Sequence, residues 1–281
     1  MPTTYAHWAF GRDCIEEMPE NLQSIIHAHR NIYNLGVHGP DILFYDLMHS
    51  DIVKYGNQLH STPMNVFFKN CKEAFKSHEE KEEMLAYMMG FLTHFTLDSA
   101  CHSYIAKKVD VSPVSHFTIE AEWDKHVIEL DRRTPNLVDR AESLRPNKKN
   151  AKIISYFYPY NQKTILRTTK WQLYTITLLN SISHKKEDYF KKLFKSPGTK
   201  KYLDLFMSYN DDPDCRDSNL RLDKLRAKAL KLFPKLMENL LFYLDDKQEL
   251  IDYFDHDLCE WPNYKDIEVL PYKQEIDYKV K

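Results

Sequence analysis

Apolar positions recur at three- and four-residue steps along most of the chain, the period of a helix that buries one stripe. Ile15, Met18, Leu22, Ile25, Ile26 and His29 predict a helix over 13–33. Residues 34–63 hold Gly36, Gly39, Gly56, Pro40 and Pro63 and predict irregular chain. Val66, Phe67, Phe68, Cys71 and Phe75 predict a helix over 64–77. The clearest helix spans 79–105 and opens on Glu79, Glu80, Glu82 and Glu83, acids that suit the positive end of a helix dipole. After the loop Asp110–Pro113, Ser115 predicts an N-cap for a helix over 116–131. Residues 132–150 are polar with two prolines and read as a connection. Ile165, Trp171, Leu173, Tyr174, Ile176, Leu178 and Leu179 predict a buried helix over 160–184. An amphipathic helix is expected over 218–244, with Pro234 kinking or restarting it. A short helix over 246–258 and an irregular tail over 261–281 complete the reading. Alternation with period two is scarce, so the expected fold class is all-α. The expected organisation is a helical core over 1–131 that carries the chemistry. A helical remainder over 132–281 would pack on the same domain and end in the tail.

Composition narrows the chemistry. Six glycines in 281 residues is few, and no GxGxxG or Walker A spacing can be drawn from them, which excludes the usual dinucleotide and phosphate cradles. Five scattered cysteines with no CxxC exclude a zinc ribbon and argue against a disulfide framework. The start MPTTYAHWAF lacks a basic n-region followed by an apolar core, and no run of 18 apolar residues occurs. The expected location is the cytoplasm. A net charge of −2 excludes a chain built as a whole for a polyanion.

Histidine is the informative residue. Eleven of the 13 fall within the first 126 residues, and neutral imidazole is the commonest metal ligand. Two segments concentrate the signal: His94-x3-Asp98-x3-His102 and His116-x3-Glu120. Four residues on a helix advance about 40° net and rise about 6 Å, so each i,i+4 pair faces one way and can grip one ion. His94 and His102 lie about 12 Å apart along a continuous helix, too far for one zinc with bonds near ~2 Å. Either the helix breaks before His102, or two metals share the row with Asp98 as bridge. Upstream, His7, Asp41 and His60 add weaker candidates. A carboxylate beside two metals can act as general base on water or can ligate. Glu122 and His126 read as a surface pair.

The order His7, Asp41, His60, His94-x3-Asp98, His102, His116-x3-Glu120 resembles the zinc-dependent phospholipase C family, whose superfamily includes the S1/P1 nucleases. The stretches TTYAH, LGVHGPDILFY and GFLTHFTLDSACH are most similar to small, leaderless bacterial members. The resemblance covers about residues 1–130. It implies an all-α multi-helix bundle with a zinc cluster at the bottom of a cleft. It also implies that His60, His94 and Asp98 bind one zinc, that His102, His116 and Glu120 bind a second, and that Asp98 bridges to a third held also by His7. Asp41 would be the base that activates the attacking water. Processed family enzymes complete the third site with a new N-terminal Trp. No Trp precedes His7 here, which leaves Pro2 or His38 to complete it. The Asp98–His102 gap is also shorter than in the bacillus enzyme.

Two or three zinc ions and a phospholipid or other phosphodiester substrate are therefore expected. Residues 145–201 carry 14 Lys/Arg against two acids, with aromatics interleaved, among them Tyr156, Phe157, Tyr158, Tyr160, Trp171 and Tyr174. That is a candidate contact for an anionic membrane surface, or for a single-stranded nucleic acid under the alternative of an S1/P1-type nuclease. The third reading is a metal-stabilised helical binding protein without turnover.

Overall fold

The computed structural model describes residues 4–46, 48–180, 184–193 and 207–280. The described residues form helices and no strand, as the apolar periodicity requires. The central element is α6 (Lys81–Val111), buried on nearly every side from Met84 to Ile105, which marks a core helix rather than a surface one. It is unbroken through His102, so one ion cannot take both ends of its ligand row. It ends where Pro113 forces the preceding residue into extended backbone, with Ser112 at φ −139° and ψ 164°. Ser115 then caps α7 (His116–Leu130), its hydroxyl accepting from the Thr118 amide at 3.2 Å.

The expected helix over 13–33 is three helices: α1 (Thr4–Glu16), α2 (Glu20–Ala28) and α3 (Arg30–Gly36). Pro19 divides the first two, since at φ −66° and ψ 150° it stands outside the helix it precedes. The segment 34–63, expected to be irregular, instead contains a 3₁₀ helix over Gly39–Tyr45 and α4 (Ser50–His60). The prediction of a helix over 64–77 agrees with α5 (Met64–Ser77).

Close approach of α3 to α6 positions the chemistry, and two glycines permit it. A Cβ on Gly36 would lie 2.4 Å from the Tyr87 carbonyl oxygen, and one on Gly90 would lie 2.3 Å from the Tyr33 carbonyl oxygen. Both obstacles are backbone. The α3 chain therefore leaves the crossing directly onto the turn of α6 that carries His94. We expect Gly90→Ala to destabilise the protein by at least about 1–3 kcal/mol, the cost of overpacking a closed core. A urea transition at the wild-type midpoint would contradict the close crossing.

Downstream, α8 (Lys148–Ile154) and α9 (Gln162–Leu179) follow the connection. The helix expected over 160–184 ends at Asn180 and is buried on one side only, since Trp171, Tyr174 and Leu178 face solvent. Residues 181–183 lie outside the described set, and α10 (His184–Leu193) is a separate element. The long α11 (Arg216–Leu244) packs along α6 and continues through Pro234 without restarting. The helix expected over 246–258 is only a 3₁₀ turn at Asp252–Asp255. The tail is less irregular than expected: α12 (Tyr272–Glu275) docks on α11, where the buried Glu275 carboxylate accepts Arg221 Nε and Nη2, each at 2.8 Å. Glu122 and His126 are not a pair. Glu122 is buried against Lys125 Nζ at 2.7 Å, and His126 Nε2 meets Asp223 Oδ2 at 2.6 Å.

Candidate metal centre

Five elements bring eight candidate residues to one region. His7 comes from α1, Asp41 from the 39–45 3₁₀ helix and His60 from the last turn of α4. His94, Asp98 and His102 come from successive turns of α6, and His116 and Glu120 from the first turns of α7. Their donor atoms form three groups: His7, His94 and Asp98; Asp41, His60 and His94; His102, His116 and Glu120. The third matches the expected set. The first two share His94, and within these groups His60 joins Asp41 rather than Asp98.

Asp98 occupies the centre. Its Oδ1 lies 3.1 Å from His7 Nε2 and 3.9 Å from His102 Nε2, and its Oδ2 lies 3.0 Å from His94 Nε2. His116 Nε2 and His102 Nε2 stand 3.2 and 3.7 Å from Glu120 Oε1. His60 Nε2 stands 3.0 Å from Asp41 Oδ1. Ligands held about 2 Å from one tetrahedral zinc lie about 3.3 Å from each other, so these spacings suit shared cations.

Three imidazoles are oriented by backbone carbonyls. His60 Nδ1 donates to Gly56 O at 2.8 Å, His94 Nδ1 to Val37 O at 3.3 Å, and His102 Nδ1 to Leu258 O. A carbonyl only accepts, so Nδ1 carries the hydrogen and a neutral ring presents its Nε2 lone pair to the carboxylates. His94 Nε2 is buried without a well-formed hydrogen bond, despite the short distance to Asp98. A buried polar atom in that state is destabilising, and a cation would satisfy it. The donor set therefore fits zinc.

Charge supports the same reading. Burial raises the Asp98 and Glu120 carboxyls, but the imidazoles around Asp98, and the positive groups around Glu120 with His116 and His102 among them, outweigh it and hold both well below the ordinary carboxylate range. Burial likewise works against protonated His102, yet Asp98 and Glu120 push it up to about 9. Without a metal His94 and His102 carry compensating positive charge, and binding a dication would displace those protons.

Local structure explains how the sequence reaches this geometry. Gly39 has φ +49°, and a Cβ there would meet the His94 ring at 2.3 Å. Only glycine allows both that backbone and that ring position. The start of α1 is fixed by Asp124, whose Oδ1 accepts the Ala6 amide at 2.8 Å; this satisfies a free helix N–H and places His7. Leu258 ties two of the candidate histidines together, its amide donating to the His60 carbonyl at 3.0 Å and its own carbonyl accepting from His102. No motif marks Asp124 or Leu258 as part of the site. His116 is its most open member, with a side chain 40% exposed, against 13% or less for the other histidines of the three groups.

His38 is buried, its Nε2 has no hydrogen-bond partner, and burial together with His7 drives its pKa down to about 3. It joins none of the three donor groups. Pro2 lies outside the described residues. In the basic segment, Lys149 pairs with Glu83, Lys152 with Glu80 and Arg167 with Asp46; its stretches 181–183 and 194–201 lie outside the described residues. No described helix is long and apolar enough to cross a membrane.

A family model described as zinc dependent phospholipase C matches residues 6–164, past the last of the ligand motifs. No curated protein and no solved structure matches the chain.

Proposed function

The chain belongs to the zinc-dependent phospholipase C family, and from that premise we propose that it hydrolyses the phosphodiester bond of a phospholipid headgroup at a cluster of two or three zinc ions. The observation that carries this reading is the set of carbonyl-anchored histidines whose Nε2 atoms converge on Asp98, Glu120 and Asp41. Zinc there supplies Lewis acidity and a lowered pKa for bound water.

The residues divide the remaining work. His102, His116 and Glu120 would hold one ion, and His94 and Asp98, with His7 and His60, would hold the others. Asp41, whose carboxylate stands beside His60, would take the proton from the attacking water. The exposed edge of His116 marks the side from which the substrate enters. Residues 132–281 complete the core and, through Leu258, brace two ligand histidines.

The test is metal analysis of the purified protein, followed by paired assays for headgroup release from phospholipid and for digestion of single-stranded DNA. Two or three zinc equivalents with headgroup release are expected. Oligonucleotide cleavage alone would replace this reading with the nuclease one. Tight zinc without any phosphoester turnover would leave a metal-stabilised binding protein.

A further inference from the structure

The helix α9 packs against the 39–45 3₁₀ helix that carries Asp41, and its outward face is unusual. Trp171, Tyr174 and Leu178 are 45%, 61% and 53% exposed. At about 100° per residue they lie on the same side as Lys163, Arg167 and Lys170. Ile165, Thr168, Thr169, Gln172 and Ile176 are buried on the opposite side. The helix contains no acidic residue. Lys163, Arg167 and Lys170, with Leu166, Trp171 and Tyr174, line an open hollow of about 360 Å³. Arg167 also bonds Asp46 at 2.6 Å, and two residues further on Met48 is 82% exposed.

We propose that this face of α9 is the docking surface for an anionic phospholipid bilayer. Lys163 and Lys170 would meet lipid phosphates in the hollow, while Trp171, Tyr174 and Leu178 enter the interfacial layer. The exposed Trp171, Tyr174 and Leu178 form an apolar patch opposite the buried side of the helix, and rings with one polar edge suit the headgroup boundary. Charge complementarity selects an anionic surface over a neutral one, as juxtaposed lysines gain most from acidic lipid. The choice of lipid rests on the phospholipid reading above. Docking through α9 would place lipid beside the element that bears Asp41.

The experiment is sedimentation of the zinc-loaded full chain with vesicles of phosphatidylcholine alone or with about one third phosphatidylserine. Turnover of a soluble short-chain phosphodiester is measured in parallel. Trp171→Ala/Tyr174→Ala and Lys163→Glu/Lys170→Glu change only exposed side chains. We expect binding to the acidic vesicles to exceed that to the neutral ones by at least about tenfold at low salt, and to fall about tenfold or more in both variants. Soluble turnover should stay at the wild-type level. Equal vesicle binding by wild type and variants, no binding to acidic vesicles, or a face that prefers single-stranded oligonucleotide would each overturn the proposal. Binding that behaves as expected in a protein without phosphodiester turnover would sustain the docking surface and remove the hydrolase reading instead.

Discussion

Asp98→Ala is expected to abolish turnover and to lower the zinc content by at least one equivalent. The Asp98 carboxylate is buried among three imidazoles, with oxygen-to-nitrogen distances of 3.0, 3.1 and 3.9 Å, and no other carboxylate in the three donor groups reaches both His94 and His102. Loss of an outer-shell partner costs about 10–100-fold in metal affinity, so loss of a shared ligand should reduce activity by more than about 10³-fold. Zinc counted after desalting and headgroup release on the same samples test this directly. Retained zinc with wild-type turnover would remove Asp98 from the site.

The same substitution has a second signature in metal-free protein. Asp98 and Glu120 together push His102 up to about 9 against the effect of burial. A raised histidine stabilises the fold fully below its unfolded value of about 6.5, and that contribution is lost as pH rises through the folded value. Apo wild type should therefore lose stability between about pH 6.5 and 9, and Asp98→Ala should flatten that slope. Urea midpoints across the range measure it, with no dependence on turnover.

These expectations rest on features of very different legibility. The ligand row was readable because α6 and α7 are regular: the i,i+4 steps from His94 to His102 and from His116 to Glu120 become spatial neighbours through helical geometry alone. The order of weaker candidates, from His7 to His60, gained meaning from its resemblance to a family. The interleaving was hidden. Two amphipathic runs flank Pro19, and their apolar period continues across it, so periodicity joined what the proline separates. The α4 helix that delivers His60 carries Gly56 and few apolar residues, which concealed it. The groups that aim the imidazoles are backbone carbonyls of Val37, Gly56 and Leu258, and a carbonyl has no signature in a sequence. Asp124 likewise reads as one more acid on α7, and only packing of α1 against α7 reveals that it caps the helix of His7.

Asp41→Asn is expected to keep the full zinc complement and to lose about 10²–10⁴-fold in kcat, the range supplied by a positioned general base. Asp41 could act in two ways, since its carboxylate lies in a donor group with His60 and His94 and also has the ionisation state of a base. Burial raises its pKa, but the positive groups around it, His60 and His94 among them, hold it below the usual carboxylate range, so it stands ionised, as a base or a ligand must. Asparagine keeps the shape and still offers an oxygen beside His60, which preserves local packing while removing the charge. His94 retains Asp98, and the His102 group does not contain Asp41, so the remaining ligands can hold their ions without it. Zinc analysis separates the two roles: full zinc with collapsed kcat and a little-changed KM marks the base, whereas loss of one equivalent marks a ligand. Unchanged kcat would exclude both and pass the proton to another group.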